Sequence, residues 1–68
     1  MINTLELKAV FVRNNVTMQD VAKLIGITPK TFYDKMKKGV FGSDEIQIMI
    51  DELNIEDPMS IFFADKVS

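Results

Sequence analysis

The sequence predicts an all-α fold, five short helices around one core. Three observations predict it. Apolar residues recur at i, i+3 and i+4 in successive segments. Residues that start or stop helices (Thr17, Gly26, Thr28-Pro29, Gly39, Ser43) separate those segments. No stretch alternates apolar and polar residues as a half-buried strand does. All 68 residues are read as one domain, 1–68, because a chain of this length can build one core and little beyond it.

The first helix is expected over Leu5 to Arg13, where Leu7, Val10 and Phe11 share a face and Val12 falls off it. Asn14-Asn15 is a turn signal, since asparagine tolerates left-handed backbone. Val16 precedes the second helix in the place of a hydrophobic staple. Thr17 is its N-cap, and Asp20 completes a capping-box pattern. That helix runs from Met18 to Leu24 or Ile25, with Val21, Leu24 and Ile25 as the apolar repeat. Ala22 is small where a second helix can approach. Gly26 sits at C′, where left-handed backbone ends a helix without Cβ strain. Ile27 is expected to pack inward.

Thr28 caps the third helix, and Pro29 at its first position lacks only a donor that would be unpaired anyway. Phe32 and Met36 face the core. Lys30, Thr31, Tyr33, Asp34, Lys37 and Lys38 are left facing outward, and Gly39 ends the helix. Phe41, in the connection Val40-Phe41-Gly42, is expected to plug the core. Ser43 reads as the cap of a fourth helix, with Asp44 and Glu45 complementing its positive end. Ile46, Met49, Ile50 and Leu53 form its apolar stripe, and Asn54 is its stop. Asp57-Pro58 begins a last short helix carrying Ile61, Phe62 and Phe63. One or two of these must fill the core, and a short helix leaves one to project outward.

Composition excludes several classes. There is no Cys and no His, so no disulfide, no thiolate metal site and no zinc finger is expected, and no cofactor is implied. No nucleophile elbow, phosphate-binding glycine loop or HExxH occurs. The carboxylate pairs Asp44/Glu45, Asp51/Glu52 and Glu56/Asp57 are adjacent in sequence and cannot face one another across a cleft. A non-enzyme is expected. No apolar run approaches the ~18 residues of a membrane span. The start, MINTLELKAVFVR, has charges within its apolar part and no cleavage site, so a cytoplasmic protein with no membrane partner is expected.

Net charge is −2, but it is unevenly spread. Residues 1–42 carry Lys8, Arg13, Lys23, Lys30, Lys35, Lys37 and Lys38 against Glu6, Asp20 and Asp34, a balance of +4. Residues 43–68 carry Asp44, Glu45, Asp51, Glu52, Glu56, Asp57 and Asp65 against Lys66, a balance of −6. The pattern fits either solvated helix faces or a basic nucleic-acid face with an acidic back. Lys35, Lys37 and Lys38 also suit the negative end of any helix.

Two helices joined by a tight turn with a glycine make a helix-turn-helix, here at about 17–39. The segment TMQDVAKLIGITPKTFYDKMKKG resembles the helix-turn-helix of the lambda-repressor-like (Cro/repressor, XRE-type) family, with Ala22, Gly26, Ile27 and the Thr28 cap at that family's spacing. Phe41, EIQIMIDELNI and DPMSIFFA extend the resemblance over Leu7 to Ala64, to small Cro-like or repressor-like proteins of phages and prophages. The resemblance implies a five-helix DNA-binding domain and a transcriptional regulator. Its partner would be a double-stranded DNA operator, met in the major groove by a recognition helix at 29–38. Thr28 would then bind phosphate through its hydroxyl or nearby N–H groups, and Lys30 and Thr31 would meet base edges. Pro29 would touch a thymine methyl, Tyr33 a base edge or phosphate, and Lys37 and Lys38 phosphates. Asp34 would accept from cytosine N4 or pair with Lys30 or Lys38. Tyr33 has the alternative of lying against a neighbouring helix with its hydroxyl in water. Two positions depart from the family pattern: Met18 stands where the family often has Gln, and Pro29 where a polar base-reader is common.

The resemblance also implies a homodimer, with Ile61, Phe62 and Phe63 as its candidate interface. A rival reading is a protein-interaction modulator of a phage repressor, acting through the acidic helix 43–53 and the Ile61–Phe63 cluster.

Overall fold

The structure, a computed structural model, describes residues 2–63. It has five helices, α1 (Thr4–Arg13), α2 (Met18–Ile25), α3 (Pro29–Lys38), α4 (Ser43–Glu52) and α5 (Pro58–Phe62). No strand occurs among the described residues, and none of the helices is long and apolar enough to cross a membrane. Ala64, at the end of the resemblance, and Asp65 and Lys66, part of the charge balance above, lie outside the described residues.

Local chemistry sets each boundary. The Asn3 side chain accepts from Glu6 N–H and starts α1 one residue earlier than periodicity predicts. Asn15 takes φ 60°, which lets the chain reverse before α2. Thr17 and Asp20 form the full capping box: Asp20 N–H donates to Thr17 Oγ1 at 3.1 Å, and Thr17 N–H donates to Asp20 Oδ2 at 2.8 Å. Gly26 closes α2 at φ 90° and gives its N–H to the Ala22 and Lys23 carbonyls. Asn54 turns left-handed at φ 51° just past α4, and Asp57 accepts from Ser60 N–H at 3.4 Å to open α5.

The start of α4 corrects the sequence reading. Its N-cap is Gly42, not Ser43, which is the helix's first residue. Gly42 has no side chain to cap with, so only the reverse half of a capping box forms, Gly42 N–H donating to Glu45 Oε1 at 2.7 Å. A Cβ at position 42 would stand 2.9 Å from Asp44 Oδ1 and 3.3 Å from Glu45 Oε1. A serine cap one residue earlier would therefore crowd the carboxylates that now occupy this corner.

One core joins all five helices. Leu7, Val21 and Phe32 are fully buried, and Val10, Phe11, Ala22, Met36, Phe41, Met49, Leu53, Ile55, Ile61 and Phe62 complete it. Phe32 is its hub, with ring centroids 6.1 Å from Phe11 and 5.3 Å from Phe41, both tilted. Val16, Ile25, Ile27, Ile46 and Ile50 pack against the core from its margin. Leu24 does not join it and remains 46% exposed, because α2 turns Val21 and Ala22 inward instead. Ile2 is buried as well, which periodicity does not predict. It is held there by backbone, Ile2 N–H donating to Gly39 O at 3.3 Å and Asn3 N–H to Ile61 O at 2.7 Å.

Two outcomes follow. Phe32→Ala removes the hub, and burial of this kind typically contributes about 3–5 kcal/mol. Against the few kcal/mol available to a small domain, that variant is expected to be largely unfolded by circular dichroism at 25 °C. The Thr17 backbone and hydroxyl bonds hold the Asp20 carboxyl below its usual pKa. A group with a lowered folded pKa stabilises fully above its unfolded pKa and loses that contribution as pH falls through the folded one. The urea midpoint of the wild type should exceed that of Asp20→Asn at neutral pH, and the gap should close on acidification below the carboxylate range.

Candidate nucleic-acid interface

The capped start of α3, its buried anchors and its link to α4 decide which side chains face water. Thr28 Oγ1 accepts from Thr31 N–H at 3.2 Å, and its hydroxyl donates to Thr31 Oγ1 at 2.9 Å. Pro29 has no N–H, and Phe32 N–H bonds to Thr28 O. Of the first donors of α3, Lys30 N–H alone has no acceptor among the described residues. The Thr28 and Thr31 hydroxyls are thus bonded to each other at this corner. The Lys30 N–H is one of the helix-N-terminal donors beside Thr28 on which the expected phosphate contact rests.

Further along α3, Phe32 is 0% and Met36 6% exposed, which fixes the helix's rotation. At about 100° per residue, Lys30, Asp34 and Lys38 then fall on the centre of the outward face. Thr31 flanks that centre on one side, and Lys37 and then Tyr33 on the other. All are exposed, as are Thr28 and Pro29. Tyr33 is 45% exposed, so about half of its surface rests against the protein and the rest meets solvent. Across the turn, Gln19 and Lys23 of α2 are also exposed.

Two charges differ from expectation. The helical spacing predicts a pair between Asp34 and Lys30 or Lys38, yet the ion pairs among the described residues are Arg13–Glu6 at 3.8 Å and Lys35–Glu45 at 2.7 Å. Asp34 stands among three lysines without closing on any of them. Lys35 is the reverse case: it leaves the cationic face. Its Nζ donates to both Glu45 oxygens at 2.7 Å, and Glu45 is 7% exposed. Glu45 also accepts Gly42 N–H, so one carboxylate ties the end of α3 to the start of α4. The i, i+3 and i+4 patterns within a helix cannot reveal this pair, which spans ten positions and two elements. The signal in the sequence was the glycine three residues before an acid.

At the other end of the molecule, Ile61 and Phe62 are each 4% exposed and belong to the core. Phe63 projects at 40%. A groove of about 530 Å³ runs between α1, the α4–α5 connection and α5, lined by Arg13, Asn14, Asn54, Glu56 and Asp57 among others. Among the described residues no three acidic, His or Cys side chains gather to hold a metal ion.

No protein-family model matches the chain, and neither a curated protein nor a solved structure gives a match.

The Lys35–Glu45 clamp is testable. Breaking a buried pair can cost about 3–5 kcal/mol, and Lys35 can here swing partly to water. Glu45→Gln should therefore destabilise by about 1–3 kcal/mol in urea melts, whereas Asp44→Asn, one residue away and exposed, should stay within about 0.5 kcal/mol.

Proposed function

We propose that the chain binds double-stranded DNA through α3, as a small Cro-like or repressor-like transcriptional regulator of phage or prophage type. One observation carries this reading. Phe32 and Met36 are sunk in the core while Lys30, Thr31, Tyr33, Asp34, Lys37 and Lys38 stand exposed on the rest of the helix. That face combines phosphate-binding cations with groups that hydrogen-bond to base edges, which is what a major-groove helix needs. The close α2–α3 turn at Gly26 leaves the face unobstructed by Ile27, which packs inward. The acidic groups that make the chain net negative lie largely on α4 and the connection after it.

The rival reading, a modulator acting on a phage repressor through helix 43–53 and Ile61–Phe63, has less surface to use. Two of its three apolar side chains are in the core, and Glu45 is engaged by Lys35.

Binding to a pool of random duplexes tests the proposal. Lys37 and Lys38 on phosphates give a log–log salt slope near −1.8, or roughly a 12-fold loss between 50 and 200 mM salt for one domain. Two domains on paired half-sites would lose roughly 150-fold. Lys37→Ala should weaken all sequences alike and flatten the slope by about 0.9 per domain, whereas Lys30→Ala or Tyr33→Ala should change the selected sequence. Retention on duplex DNA that is absent, or indifferent to salt, overturns the reading.

A further inference from the structure

The largest apolar exposure among the described residues is on α1, away from α3's outward face. Leu5 and Val12 are each 78% exposed. They are seven residues apart, with Ala9 between them, and at about 100° per residue the three lie within about 60° of one another. The inner face of the same helix is already committed to the core through Leu7, Val10 and Phe11. α1 is therefore apolar on two opposite sides, and one of them faces solvent.

The charges beside the stripe say what covers it. Glu6 and Arg13 lie on one flank, also seven residues apart. They meet each other only loosely, at 3.8 Å, with side chains 49% and 62% exposed. Lys8, also exposed, lies on the other flank. Consider a second α1 laid antiparallel on the first, about a two-fold axis midway between positions 9 and 10. The Glu6–Arg13 flanks then meet, and each Glu6 faces an Arg13 of the other copy, twice. Leu5, Ala9 and Val12 of one helix interleave along the seam with their counterparts, and Ala9 near Ala9 at the centre lets the backbones approach. The same two-fold brings the two Lys8 side chains together on the opposite flank, where long stems carry the ammonium groups apart into water. A parallel pair instead sets each Glu6 near the other copy's Lys8 and leaves both Arg13 side chains without an acid to meet.

We propose that the outer face of α1, Leu5, Ala9 and Val12 between Glu6–Arg13 and Lys8, is a homodimer surface that binds a second copy antiparallel. One short helix covers less than the ~1,200 Å² of a standard interface, so association is weak and appears at high micromolar concentration. The surface is distinct from Ile61 and Phe62, which are core, and the inference does not depend on whether α3 binds DNA.

Sedimentation of the intact chain over a concentration series tests it. The wild type should double its apparent mass as concentration rises, and Leu5→Glu/Val12→Glu should stay monomeric with its helical circular dichroism retained. Charge exchange separates the surface from any general effect on α1. Glu6→Arg alone sets two cations against each other across the seam, and Arg13→Glu alone sets two carboxylates, so each should be monomeric. Mixed in equal amounts, the two variants face opposite charges at both 6–13 contacts and should recover the doubled mass. A wild type that stays monomeric, a Leu5→Glu/Val12→Glu variant that still dimerises, or a mixture that fails to associate overturns the proposal.

Discussion

The outward side of α3 depends on the burial of Phe32. Its ring is fully enclosed between Phe11 of α1 and Phe41 of the α3–α4 connection, so three parts of the chain fix its position. Side chains on a helix keep their angular spacing. Once Phe32 and Met36 point inward, Lys30, Asp34 and Lys38 have no choice but to point outward. A rotation by one residue would drive Tyr33 and Lys37 into the core, and burying an unpaired ammonium group is prohibitive. The aromatic cluster therefore does more than stabilise the fold. It orients a polar surface with which it shares no contact chemistry.

The charged residues divide into those that hold the fold and those left to solvent. Asp20 is committed to the Thr17 cap. Lys35 and Glu45 are committed to each other, and Glu45 also holds the Gly42 amide. What remains on α3 is three lysines around one carboxylate. The net charge of the chain says little about this face, because attraction is felt locally over about a Debye length, ~8–10 Å at moderate salt. Glu45 also shows how a buried acid becomes tolerable: a cation, a backbone donor and the positive end of a helix converge on it.

Much of this was legible in the residues. The capping box at Thr17, the left-handed Gly26, the Thr28-Pro29 start and the Phe32/Met36 anchor are local patterns, and each formed where the pattern placed it. The rest depended on which elements meet, and periodicity carries no information about that. Leu24 matched the helical repeat but lies beyond the width of α2's contact with its neighbours. Ser43 looked like a cap, yet Gly42 holds that position, with its N–H tied to Glu45. The Lys35–Glu45 pair and the burial of Ile2 and Ile55 are tertiary facts with no helical spacing behind them. On the candidate face, the set of outward residues could be read, but their bonding could not: the Thr28 and Thr31 hydroxyls bond to each other, and Asp34 stays clear of the lysines expected to hold it.

The bonds from Ile2 to Gly39 and from Asn3 to Ile61 bear on how the chain is made. A ribosome makes α1 before α3 and α5, whose backbone groups dock the start of α1. At roughly 5–20 residues per second, Asn3 waits about 3–12 s before Ile61 is even synthesised. Through that interval Leu7, Val10 and Phe11 have an incomplete core to enter. Closure of the domain becomes a late event, governed by the arrival of its last helix.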